Sequence, residues 1–132
     1  MSTTRELAKK GARIVIAGRN DTKCREAIKK LQSENGDSLD LDYVKLDLKS
    51  LKSAKEAGKA IVAKEKRLAG IILNAGIMAT PYELTEDGVE AQFQVNHLAH
   101  FVLVHEILGL LELSGKVSSA FLFPSRRRRV EM

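Results

Sequence analysis

Short runs of β-branched and apolar residues alternate along this chain with longer stretches whose apolar positions recur at helical spacing. The first helical stretch is Thr3 to Lys10, with Leu7 and Ala8 on one side and charges on the other. Gly11 is placed to stop it. Arg13 to Ala17 reads as a buried strand, and Gly18-Arg19-Asn20-Asp21 as the turn that follows. Asn20 or Asp21 can cap a helix from Thr22 to Ser33, marked by Ala27, Ile28 and Leu31. After a loop at Asn35-Gly36, a second strand covers about Asp42 to Leu46. Ser50 can cap a helix from Leu51 to about Glu65, with Ala54, Ala57, Ile61 and Val62 as its apolar face. Gly70 to Leu73 is a third strand, ending in Asn74-Ala75-Gly76. Past Pro81 and Gly88, a long helix from about Asp87 to Leu113 carries Val89, Phe93, Leu103, Ile107, Leu110 and Leu111. Beyond Ser114 the pattern degrades, although Lys116 to Ser119 can open a fourth strand.

Strands alternating with helices of this length predict parallel βαβ units with right-handed crossovers, an α/β fold. In such a sheet, ligands gather at the carboxyl ends of the strands. That edge carries Arg19 after the first strand, Asp47 and Leu48 after the second, and Asn74-Ala75-Gly76 after the third. The Arg19 guanidinium can hold a phosphate through two parallel hydrogen bonds, or simply sit solvated in a turn. The Asp47 carboxylate can accept from an amine such as an adenine amino group, or favour the helix that follows through its dipole. Asn74-Ala75-Gly76 lets a flat ligand approach the backbone closely, or makes an ordinary tight turn. Asn96 is a polar residue on the apolar face of the long helix, among Phe93, Val95, Leu98 and Phe101. Its amide needs hydrogen bonds from backbone or an ordered water.

At 132 residues the chain makes one domain at most. No run reaches the roughly 18 apolar residues of a membrane span. Arg5, Glu6, Lys9 and Lys10 do not suit a signal peptide. Cys24 is the single cysteine, which suits a reducing compartment and gives a cytoplasmic expectation. The net charge is +5, but Arg126 to Arg129 supply four of those charges. The body is therefore near neutral, and the composition gives no support for a nucleic-acid-binding domain. His97, His100 and His105 lack carboxylate or cysteine partners at ligand spacing, so no metal site is expected. No Gly-x-Gly-x-x-Gly occurs, and neither Tyr43 nor Tyr82 has a lysine four residues on.

Taken together, Arg5 to Ala12, Ala17-Gly18-Arg19-Asn20, Leu46-Asp47-Leu48-Lys49-Ser50-Leu51, Ile72 to Met78 and Val95-Asn96-His97-Leu98-Ala99-His100-Phe101 resemble the short-chain dehydrogenase/reductase family. The similarity is to its retinol-dehydrogenase-like and fungal reductase branch, over about Thr4 to Leu113. The resemblance implies a partial Rossmann-type, doubly wound parallel sheet over residues 1–113, followed by a divergent basic tail over 114–132. It implies an NADP-linked oxidoreductase acting on a small alcohol or carbonyl. Arg19 matches the residue that recognises the ribose 2′-phosphate, and Asp47 and Leu48 match the adenine-contacting pair. Asn74, Ala75 and Gly76 match the motif that supports the sheet and lines the cofactor. Asn96 matches the catalytic-tetrad asparagine, which holds a water in the proton relay. Ser118 or Ser119 is a weak match to the catalytic serine.

The family pattern also includes a first strand with a Thr-Gly-x3-Gly-x-Gly loop, and a Tyr-x3-Lys pair. Neither motif is present in these residues, so the expectation is a fragment without dehydrogenase activity. The alternatives are a non-catalytic nucleotide- or protein-binding module, and an interaction protein working through the arginine tail. Without the first strand, the Ile71 strand is expected to move beside the Ile14 strand in one three-stranded sheet.

Overall fold

A computed structural model of the chain describes residues 2–35, 39–113 and 119–121. The fold is α/β with parallel strands, in two compact units, Met1–Asp47 and Leu48–Met132.

The first unit runs α1 (Ser2–Lys9), β1 (Ile14–Gly18), α2 (Asp21–Asn35) and β2 (Leu41–Lys45). Gly11 ends α1 at φ 83°, a left-handed conformation that glycine adopts without a Cβ clash. Asn20 caps α2 as its sequence position suggests, accepting the Lys23 N–H on Oδ1 at 2.9 Å. β1 and β2 pair in parallel, with Ile14 opposite Leu41 and Gly18 opposite Lys45. Ala8, Leu31 and Leu39 form the local core, with Ile14 and Leu41 packed against it. Leu7, expected to share the apolar side of α1 with Ala8, is instead exposed.

The second unit runs α3 (Leu51–Lys64), β3 (Ile71–Leu73), a short α4 (Ala91–Phe93), a π-helical turn (Gln94–Leu98), α5 (Ala99–Glu112) and β4 (Ser119–Phe121). Ser50 caps α3, accepting the Ser53 N–H at 3.3 Å. α3 packs along α5; Ala54, Ala57 and Ile61 of α3 and Leu103, Ile107 and Leu110 of α5 are all buried. Gly58 allows that approach: a Cβ there would stand 2.5 Å from Glu106 Cβ. Val62, expected on the inner face of α3, is exposed.

β3 pairs in parallel with β4, Ile71 opposite Ser119 and Leu73 opposite Phe121. The described strands thus form two two-stranded sheets, not the expected three-stranded one. In this sheet β3 takes its strand hydrogen bonds from β4, within the same unit.

The long helix also starts later than its apolar pattern suggests. Thr85 to Val89 form a turn closed by Thr85 N–H to Val89 O at 2.9 Å and Gly88 N–H to Thr85 O at 3.0 Å. Gly88 stands at φ 73° there, and helix begins only after Glu90, whose carboxylate caps Gln92 and Phe93 N–H at 3.0 and 2.8 Å. The π turn then adds one residue to the helical repeat. It shifts the phase of the apolar stripe ahead of α5, so Val95 and Ala99 are buried whereas Phe93, expected on that stripe, is exposed.

Candidate functional site

The turn after β1 is held from below by its own unit. The Gly18 carbonyl accepts the Leu46 N–H at 2.9 Å and the Tyr43 hydroxyl at 2.9 Å. Burial raises the Tyr43 pKa, helped by the Cys24 thiol and the Asp21 carboxylate, so the hydroxyl keeps its proton and remains a donor. The Arg25 guanidinium, hydrogen-bonded to Asp21 at 2.8 Å, lies 5.6 Å from the Tyr43 ring centre. Cys24 packs against Gly18 so closely that a Cβ on Gly18 would stand 2.6 Å from its sulfur. Arg19 follows, exposed at the carboxyl end of β1. No carboxylate pairs with it among the described residues. Asp47, half-buried, lies beyond the carboxyl end of β2. The register places Arg19 and Asp47 at the same edge of this sheet.

In the second unit the turn after β3 is tied to the π turn. Asn96 Oδ1 accepts the Ile77 N–H at 2.8 Å, and Asn96 Nδ2 donates to the Ile77 carbonyl at 2.8 Å. The amide that had to find partners on an apolar face finds both on one backbone residue. Asn74, Ala75 and Gly76 remain exposed beside it. Ala79 continues the loop at φ 56°, with its N–H donated to Gln92 Oε1 at 3.2 Å.

Gln94 is a further hub that its sequence position alone does not reveal. It is fully buried, yet its amide is well used. Oε1 accepts the Thr85 hydroxyl at 2.6 Å; Nε2 donates to Asp87 Oδ2 at 2.8 Å and to the Leu48 carbonyl at 3.4 Å. Asp87 Oδ2 also accepts the Leu51 N–H at the start of α3, at 2.9 Å. The backbone at Leu48 is therefore fixed from the π turn. The available signal was a second polar residue, two positions before Asn96, inside the same apolar run.

The three histidines separate by environment. His97 and His105 are exposed beside Phe93 and Phe101, at ring distances of 5.5 and 6.5 Å. His100 is buried, with Nε2 2.8 Å from the Ala75 carbonyl oxygen. Among the described residues no three His, Cys, Asp or Glu side chains are grouped as metal ligands. No described helix is long and apolar enough to cross a membrane. A groove of about 460 Å³ between α3 and α5, lined by Leu51, Lys55, Phe101 and His105 among others, shares no residue with the Asn74–Gly76 turn. Ser118 and Arg126 to Arg129 lie outside the described residues.

Residues 1–119 match the family model described as short chain dehydrogenase. The chain belongs to the short-chain dehydrogenase/reductase family. It is 44% identical over 109 residues to the short-chain dehydrogenase/reductase drtF of Aspergillus calidoustus, covering 83% of this chain and 34% of that protein. It is 44% identical over 113 residues to retinol dehydrogenase 12 of Bos taurus, covering 86% of this chain and 35% of that one. The chain thus spans about a third of the length of these relatives. Among solved structures, an uncharacterized protein from Mycobacterium paratuberculosis superposes with a TM-score of 0.71 at 35% identity, over 83% of this chain and 37% of that one. RhlG of Pseudomonas aeruginosa, solved as an NADP active-site complex, gives a TM-score of 0.69 at 26% identity, over 87% of this chain and 46% of that one. As a short-chain dehydrogenase/reductase chain it has the Rossmann-type α/β fold of these neighbours, present here in part.

Proposed function

We propose that residues 1–113 are the cofactor-binding part of an NADP-dependent oxidoreductase acting on a small alcohol or carbonyl, and that 114–132 are a divergent basic tail. The observation that carries this reading is the Asn96–Ile77 pair. It fixes the backbone beside the exposed Asn74-Ala75-Gly76 turn, at the strand edge where an α/β sheet takes its ligand. NADP is supported by the exposed Arg19, whose guanidinium suits a ribose 2′-phosphate. Asp47 and Leu48 serve the adenine, and Asn74, Ala75 and Gly76 line the cofactor. Asn96 holds a relay water, and Ser118 is the serine implied by the family pattern. The complex of RhlG with NADP and the names of the retinol dehydrogenases point the same way. A cytoplasmic location, which the lone thiol suits, belongs to the same reading.

When bound, the cofactor supplies the hydride. The residues of this chain bind it, orient it and hold the relay water. These 132 residues contain no Tyr-x3-Lys. Missing general acid/base catalysis costs a factor of about 10² to 10⁴ in rate. The chain by itself therefore binds cofactor without turnover, as a non-catalytic module would. Calorimetry of the 132-residue chain with NADPH and NADH tests this. The expected result is preference for NADPH by about tenfold or more, as one lost charge-assisted contact requires, and loss of that preference in Arg19→Ala. Equal affinity for the two cofactors would refute the role of Arg19. Steady NADPH consumption with a simple ketone would refute the absence of turnover.

A further inference from the structure

We infer that His100 is a positioning residue that fixes the Ala75–Gly76 peptide and so aims the Gly76 N–H away from the helix as a hydrogen-bond donor for the ligand. The inference rests on the reading of this turn as a cofactor wall.

His100 is 4% exposed, and its Nε2 lies 2.8 Å from the Ala75 carbonyl oxygen. A carbonyl only accepts, so the ring nitrogen facing it carries the proton. The other nitrogen, Nδ1, is buried without a hydrogen-bond partner. An apolar side chain would fill the space without that orphaned acceptor, so what the imidazole contributes here is its Nε2–H donor.

The backbone explains why a donor is needed. Asn74, Ala75 and Gly76 are all exposed, so little packing holds the turn. A peptide unit rotates through the ψ of the residue before it and the φ of the residue after it. Here the second of these belongs to Gly76, whose φ is sterically permissive. His100 holds the carbonyl end of that unit. The peptide is planar and trans, so its N–H points opposite to its C=O. With the Ala75 carbonyl directed at His100, the Gly76 N–H is directed away from it. It has no partner among the described residues. The ligand group it suits is an acceptor oxygen, a hydroxyl or carboxamide oxygen of the cofactor. Asn96, four residues earlier, holds both backbone groups of Ile77. Two side chains thus hold three backbone groups around Gly76.

The test compares His100→Leu, which removes the donor, with His100→Gln, whose side-chain amide restores it. Long-range proton–nitrogen NMR on the unsubstituted chain reads the tautomer, and the expected form is Nε2–H. His100→Leu is expected to weaken NADPH binding about tenfold or more, and His100→Gln to stay within about threefold, with circular dichroism unchanged in both. In His100→Leu the Gly76 amide signal broadens or doubles as the peptide gains a second orientation; in His100→Gln it stays single and sharp. An Nδ1–H tautomer, or an unchanged Gly76 signal in folded His100→Leu, would overturn the inference. If His100→Leu does not fold, the tautomer and the Gly76 signal of His100→Gln decide. If the unsubstituted chain binds no NADPH, the cofactor reading fails, while tautomer and Gly76 signal still judge His100.

Discussion

Asn96 serves Ile77 as a neighbouring strand would, accepting its N–H and donating to its carbonyl, each at 2.8 Å. A backbone residue just past the end of a three-residue strand is thereby satisfied by a helix side chain. The donor and acceptor of one carboxamide match the acceptor and donor of one residue, which an acceptor-only carboxylate cannot do.

Asn96→Leu leaves both Ile77 groups unpaired, and is expected to lower stability by about 1–3 kcal/mol. Asn96→Asp keeps an acceptor for the N–H but sets a carboxylate against the carbonyl, so it recovers only part of that loss. Urea denaturation checks both. A shift in midpoint at unchanged slope is the expected form.

Gln94 is the buried counterpart. Gln94→Leu removes the partner of the Thr85 hydroxyl and of the Leu48 carbonyl, and leaves Asp87 with one donor fewer. The expected cost is about 2–4 kcal/mol, since each buried group left unsatisfied costs about 1–3 kcal/mol and some relaxes toward water. Gln94→Glu fails differently, by burying a carboxylate beside Asp87. Its stability is expected to recover in part as the pH falls and that carboxylate protonates, which denaturation at two pH values would show.

Much of this arrangement was legible in the sequence. Gly11, Asn20 and Ser50 sit at the helix boundaries their chemistry suggests, because stops and caps are local. Asn96 stood out because an amide in an apolar run must find partners. The π turn could not be read: one extra residue leaves the apolar residues in place and changes only which way they face. Phe93 therefore looked interior and is exposed. The pairing of β3 with β4 was hidden because it joins segments about 46 residues apart across a stretch with weak pattern. In the sequence His100 was only one of three histidines without metal-ligand spacing, and only the nearby Ala75 carbonyl gives it a task.

Gly58→Ala tests the packing of α3 on α5. The added methyl would meet Glu106 Cβ at 2.5 Å, an atom fixed to its helix backbone rather than the end of a flexible chain. Helix propensity alone favours alanine by about 1 kcal/mol. Overpacking opposes it by about 1–3 kcal/mol and is expected to win. A lowered thermal midpoint checks the sign.

Alkaline pH should destabilise the first unit. Burial, followed by the nearby Asp21, raises the Cys24 pKa, and burial chiefly raises that of Tyr43. For a raised pKa the folded state holds its proton longer than the unfolded chain. The stabilisation is complete below the unfolded values, about 8.5 for cysteine and 10 for tyrosine, and is lost as pH rises through the higher folded values. Stability is therefore expected to fall from about pH 8.5 upward. The fall should flatten in Cys24→Ser with Tyr43→Phe, as denaturation measured across pH would show.

Arg19 in the first unit and the turn held by Asn96 in the second are each proposed to contact NADP. Titrating the ¹⁵N-labelled chain with NADPH while recording backbone amide shifts tests this most directly. Saturable shifts are expected at Arg19 and from Ala75 to Ile77. Saturable shifts confined to other residues, or none at millimolar NADPH, would contradict this.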